Sequence, residues 1–254
     1  MSRLCIFCHR EGQTLTREHV YPDWLSKLYS QEVVGINEVS GDNLNRIWQG
    51  AIFQHKVKLV CVECNNGWMS DLEGGVKDLL VSLAFTHDKC VLSEEDQRKI
   101  SLWVQKTVLV DNKAIGGKSG FDIPASFYSK LYQTKQPIDT MLVTMGWRIL
   151  ANGSKDQPLA SFEIKQVSTF EVEKSSVNAI QDQMEEGAVV WTAILALGNV
   201  IFHVVGTTLV GQLEVGSSDP RLLIQINPYH KDLAWPLEWP IEAVGGLDAI
   251  RKGM

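Results

Sequence analysis

Two cysteine pairs, an acid-histidine dipeptide and an asparagine carry most of the chemistry open to this chain. Cys5 and Cys8 are separated by two residues, as are Cys61 and Cys64, and Asn65 follows the second pair directly. Two thiolates at that spacing reach one ion from a single tight turn, and two such pairs complete a closed, tetrahedral, structural zinc site. A Cys-x-x-Cys motif also serves redox chemistry, but that use needs one motif ahead of a helix in a βαβ setting, which residues 2–9 do not show. Between the pairs stands Glu18-His19. A histidine, with an ordinary pKa of about 6.5, suits a general base at neutral pH. Glu18 and Asn65 offer hard oxygen donors of the kind magnesium or manganese prefers. The set reads as a zinc clamp beside a second, catalytic divalent ion and a base that activates water.

Such groups act only if rigid elements hold them. Gly12, Pro22, Gly35, Gly41 and Gly50 break the first seventy residues into short segments, and a chain so interrupted needs a staple, which zinc supplies. Beyond Cys64, the spacing of Trp68, Leu72, Val76, Leu79 and Leu83 predicts a helix with Asn65 at its start. Ser93, with Asp96 three residues on, marks a second helix whose face carries Ile100, Trp103, Val104, Thr107 and Val108. A third, short helix is expected over 124–132. From residue 141 the texture turns to strands, over 141–150, 160–172, 188–197, 200–205 and 222–226, and Gly198-Asn199 is a two-residue hairpin signal. Trp235-Pro236 and Trp239-Pro240 argue against a central strand near the end. The expected class is α+β, with a zinc-stapled motif over 1–73, a helical connection over 74–140 and a β-rich region, largely an antiparallel sheet, over 141–254.

Composition sets limits more than it assigns roles. At 254 residues and 44% hydrophobic, the chain can bury a full core. It has no apolar run of the roughly 18 residues a membrane span needs, so we expect no membrane partner and a cytoplasmic location, where reduced thiols favour zinc over disulfides. Cys90 is left over and reads as a free buried thiol. The formal charge of −6 does not advertise a nucleic-acid binder. Affinity for DNA must come from a local patch, with Arg3, Arg10, Arg17, Arg46, Lys56 and Lys58 as candidates near the motif, each also at home on an ordinary solvated surface. His9 could replace a cysteine as zinc ligand, which a complete set of four cysteines makes unnecessary; His87, His203 and His230 read as core or surface residues, and Trp24, Trp48 and Trp68 as packing around a small zinc site.

Cys5-Ile-Phe-Cys8, Leu15-Thr-Arg-Glu18-His19-Val-Tyr-Pro22-Asp-Trp24-Leu25 and Val60-Cys61-Val-Glu-Cys64-Asn65-Asn66-Gly67-Trp68 together resemble the zinc-containing branch of the HNH endonucleases. The resemblance covers about Leu4 to Glu73. It implies a ββα-metal motif in which His19 is the general base, Glu18 the first-strand ligand and Asn65 the helix ligand of a magnesium or manganese ion. Cys5, Cys8, Cys61 and Cys64 would hold the zinc. The implied substrate is DNA rather than RNA, and the implied settings are restriction, phage defence and mobile elements. Glu18 stands where the family usually has aspartate, and Asn65 where it often has histidine. The family's middle asparagine has Asn43, Asn45 or His55 as its candidates. The rival reading is a non-catalytic zinc module that docks a protein partner, which the acidic charge favours.

Overall fold

The computed structural model describes residues 4–28, 34–41, 44–51, 55–86, 88–115, 121–149, 160–167, 177–210 and 222–241. Its elements are helices and mostly antiparallel sheets, an α+β architecture. Strand β1 (Leu15–His19) is the first, followed by helix α1 (Asp23–Leu28) and strands β2 (Val34–Gly41), β3 (Leu44–Ala51) and β4 (Lys56–Cys61). β1 runs antiparallel to β4, with Leu15 opposite Cys61 and His19 opposite Lys56, and β4 carries one extra residue between its partners of Thr16 and Glu18. Such a bulge bends and twists the pair locally.

The chain turns helical inside the second cysteine pair. Helix α2 (Val62–Cys64) leads through a wide, π-type turn at Asn65–Met69 into α3 (Ser70–Phe85). The expected helix therefore begins one turn earlier than Asn65, because the Cys61–Cys64 bend is itself helical and Cys61 is its extended N-cap (φ −77°, ψ 159°). Gly67 takes up the kink at φ −96°, ψ −117°. Beyond it Leu72, Val76, Leu80 and Leu83 face the core, at the spacing an amphipathic helix requires.

After strand β5 (Cys90–Leu92), helix α4 (Glu94–Ile115) opens as the sequence predicts: the Ser93 amide donates to Asp96 Oδ2 at 3.0 Å and the Asp96 amide to Ser93 Oγ at 3.3 Å. Helix α5 (Ala125–Thr134) then precedes strands β6 (Met141–Trp147) and β7 (Ala160–Val167). Helix α6 (Val177–Glu185), which no sequence signal marked, leads to strands β8 (Val190–Leu197), β9 (Val200–Thr207), β10 (Ile224–Asn227) and β11 (Leu233–Trp235). Among the described residues β11 pairs only with β5, so Pro236 does fall beside a peripheral strand.

Seven strands form one sheet in the order β10-β6-β9-β8-β7-β2-β3. Its far edge is the β2-β3 hairpin, which lies between the two strands of the N-terminal motif in sequence and joins the sheet through a parallel pairing of β2 with β7. The segment that Gly35, Gly41 and Gly50 punctuate is thus a regular hairpin and not an irregular connection. α4 packs Trp103 edge-on to Phe202 (6.5 Å between centroids), and α5 sets Phe127 against Trp191 (5.9 Å). A single buried cluster runs from Cys5 and Phe7 through Trp103 to Trp191 and Leu237.

The β8-β9 turn falls at Gly198-Asn199, as expected. Only Gly198 has a positive φ (53°), the requirement of a type II′ hairpin at its first central residue. The tip docks on α3: the Asn199 amide donates to the Ala84 carbonyl at 2.7 Å, and a Cβ at Gly198 would lie 2.1 Å from that oxygen. The sheet is thereby tied to the helix that follows Asn65.

One core residue breaks the usual rule that buried charge is paired. Asp111 of α4 is fully buried, and neither carboxylate oxygen has a hydrogen-bond partner among the described residues. Burial alone pushes its pKa up to about 7. A carboxyl raised above its unfolded value folds best protonated, so its contribution is intact below about pH 4 and is lost as pH rises toward 7. Asp111→Asn is expected to leave stability at pH 4 unchanged and to raise it by about 1–3 kcal/mol at pH 8, the range of a relieved buried charge less the cost of an unpaired amide. Urea titrations at the two pH values check this, and equal midpoints for both proteins at pH 8 would refute it.

Candidate metal centre and the strand beside it

Cys5 and Cys8 lie on the first turn of the described chain, which the Ile6 amide pins to β4 by donating to the Leu59 carbonyl at 3.0 Å. Cys61 ends β4 and Cys64 ends α2. The four sulfur atoms all lie within 4.8 Å of one another, with Cys8 and Cys61 at 3.7 Å. A disulfide needs about 2.05 Å between sulfurs, whereas thiolates about 2.3 Å from one zinc ion stand about 3.8 Å apart at tetrahedral angles. None of the five cysteines is bridged. The donor set therefore fits a structural metal such as zinc. Shared protons draw Cys5 down to about 4 through its bond to Cys64 and push Cys64 up, the behaviour of thiols crowded at one cation position. Cys90 is free and half-buried in β5, apart from this cluster.

Cationic and aromatic groups surround the sulfurs. Arg10 donates to Tyr132 at 3.0 Å, pairs with Glu63 at 2.7 Å and hydrogen-bonds Cys8. Lys135, in the left-handed region at the end of α5 (φ 53°), places its ammonium 4.9 Å from the centre of the Trp68 ring. Trp68 meets Phe7 edge-on at 5.3 Å, so its role here is packing.

Arg17 is exposed while Thr16 and Glu18 turn inward, the alternation of a strand with one wet face. On the inner face, the Asn65 amide Nδ2 donates to Thr16 Oγ1 at 2.7 Å, which fastens the turn after the cysteines to β1 two residues from Glu18. Glu18 is only 5% exposed, and burial pushes its pKa up to about 7 against the opposing pull of Lys106. Glu73, on α3, pairs with Lys106 at 2.8 Å and acts on both Glu18 and His19. These side chains offer a carboxylate and an amide on one side of β1, a donor set that suits a hard divalent ion.

His19 leaves the strand on the opposite face, at its end. Its Nε2 lies 3.3 Å from Asp23 Oδ1, one helical turn on, and Asp23 also holds Lys27 at 2.8 Å. Burial first, and then Lys56, lower the pKa of His19, keeping the ring neutral at neutral pH. Because directly opposed residues of an antiparallel pair share a face, Lys56 stands beside His19 on the outer side, where Lys58 and Arg17 are exposed too. An acidic chain thus carries a local basic strip around this histidine. Asp23→Asn removes a carboxylate that raises the His19 pKa, so that pKa is expected to fall further; an NMR titration of the ring proton checks the direction, and an unmoved or higher value would contradict it.

Compared with protein-family models, curated proteins and solved structures, the chain matches none. Its reading rests on its own residues.

The structure thus ties Asn65 to Thr16, two residues from the buried Glu18, and sets His19 at the strand's outer end; no hydrogen bond joins Glu18, Asn65 and His19 to one another among the described residues. Of the candidates for a middle asparagine, Asn43 lies outside the described residues and Asn45 falls in β3. His55 sits just ahead of β4, where its carbonyl accepts from the Val20 amide at 3.0 Å, and burial lowers its pKa. Arg3 and His87 lie outside the described residues. His203 is a buried core histidine with Nε2 2.6 Å from Thr192 Oγ1. Sequence reasoning missed Thr16, Asp23, Glu73 and Lys106. Asp23 had a signal, four residues beyond His19 within a Pro-Asp-Trp turn; Lys106 had none, being one of several lysines on a long helix.

Proposed function

We propose that this protein is a zinc-stapled, divalent-metal-dependent endonuclease of HNH type that hydrolyses DNA phosphodiester bonds. The observation that carries the reading is the strand-strand-helix unit closed by four converging cysteines, with Asn65 hydrogen-bonded to β1 beside Glu18-His19. A zinc ion on the four thiolates is structural. Glu18 and Asn65 would hold magnesium or manganese, which supplies charge stabilisation at the phosphorane and the leaving oxygen.

Asp23 on the Nε2 side orients the His19 ring and leaves Nδ1 to take a proton. Nδ1 removes it from water, the hydroxide adds to phosphorus, and the P–O3′ bond breaks with its electron pair on the 3′-oxygen. Arg17, Lys56 and Lys58 would seat the flanking phosphates, a sequence-independent contact. No described helix is long and apolar enough to cross a membrane, which fits a substrate met in water. Settings such as phage defence or mobile elements belong to this same reading.

A non-catalytic zinc module for a protein partner is the second reading, favoured by the net charge of −6. Purified protein incubated with supercoiled plasmid and magnesium, manganese or EDTA separates the two. Nicking that needs the divalent ion supports the nuclease; intact plasmid under all three conditions supports the binding module.

A further inference from the structure

Lys106 is a charged residue with no exposed surface, 0% by side chain, and it comes from α4, outside the motif that surrounds it. Burying an ammonium is costly unless it is paired, and Lys106 is paired: its Nζ donates to Glu73 Oε1 at 2.8 Å, and it acts on Glu18 as well. With Glu18 ionised, as at the pH of the test below, the two carboxylates and one ammonium carry a local charge of −1. We infer that Lys106 is the resident counter-ion of Glu18 and Glu73, a positioning residue that holds the Glu18 carboxylate in place and keeps the affinity of this site for a divalent cation low.

This rests on the reading of Glu18 as a divalent ligand. With Lys106 in place, a divalent ion leaves the cluster at +1, and one phosphodiester brings it to neutrality. The ion is then held firmly only when a phosphate arrives with it. Without Lys106, two carboxylates alone would balance the ion, and it would stay bound without substrate. Lys106 is fully buried, so its influence on a bound ion passes through the carboxylates.

The test is manganese binding to the zinc-loaded full chain at pH 8.5, followed by electron paramagnetic resonance, in a cycle of three variants. Lys106→Met is expected to bind manganese at least tenfold more tightly than the parent, a gain that mere structural damage would not produce. Glu73→Gln is expected to bind at least tenfold more weakly, and Lys106→Met/Glu73→Gln, which restores the parent's local charge, to return within about threefold of it. Should Lys106→Met alone fail to fold, the Glu73→Gln and double variants still decide, since the neutral pair replaces the ionic one without leaving a lone buried charge. A parent that binds manganese while Lys106→Met binds equally or more weakly overturns the inference and leaves the nuclease reading standing. A double variant as weak as Glu73→Gln also overturns it. Absence of manganese binding in the parent and in all three variants would remove both the inference and the Glu18 ligand; binding by Lys106→Met alone would support the inference in its strongest form.

Discussion

Cys61→Ser is expected to lose most of the bound zinc and to lower the thermal midpoint by about 10 °C, from a loss of about 3–5 kcal/mol in a chain of this size. Three features of the site set the size of the effect. Cys61 is both a member of the four-sulfur cluster and the junction between β4 and α2. Its strand partner is Leu15, so the register of β1 depends on the same residue. The apolar residues of this segment, Cys5, Phe7, Val20, Tyr21 and Leu25 among them, are few for so interrupted a chain, and metal binding supplies folding free energy that they do not. Elemental analysis of protein purified without chelator, with calorimetry on the same sample, measures both quantities. A full zinc complement and an unchanged midpoint in Cys61→Ser would exclude the clamp.

His19→Ala is expected to slow plasmid nicking by about 10²–10⁴-fold, the usual contribution of a positioned general base. Zinc content and thermal midpoint should stay at the parent's values, since the ring lies at the end of β1, partly exposed, and is bonded only to Asp23 among the described residues. The pH profile is a second readout. The lowered pKa keeps the ring able to accept a proton below pH 6.5, so base-dependent cleavage should persist there and decline only on further acidification. The Glu18 carboxyl, its pKa pushed up to about 7 by burial, releases a proton as it takes up a cation, so the metal requirement should ease as pH rises from 6 to 8. A variant that nicks as fast as the parent would dismiss His19 as the base whatever the metal data say.

What could be read in the chain was local. The Ser93-Asp96 capping pair, the Gly198-Asn199 turn and the two Cys-x-x-Cys pairs each place their partners within a few residues, and each appears as expected. The Asn65 helix was legible in kind but not in its first turn, because the cysteine bend that starts it shows no helical periodicity. What escaped notice was distant in sequence. β2 pairs with β7 more than a hundred residues away, Ile36 opposite Ser161, and nothing in 34–51 specifies so remote a neighbour. The contact between Lys106 and Glu73 likewise joins two helices, and a lysine in an apolar stripe declares its counter-charge only once both helices are packed. At the candidate site, residue types were legible while their facing was not: Glu18 and His19 are adjacent, yet one is buried against α4 and the other borders solvent.

The β2-β3 hairpin makes the N-terminal motif and the sheet complementary halves. A break in the chain after the motif would divide the molecule so that one piece ends in the free edge of β2 and the other in the free edge of β7, each a row of unsatisfied amides and carbonyls matched to the other. Two such pieces, made separately and mixed, carry the template for their own reunion, and metal-dependent chemistry that returned on mixing would report their reassembly.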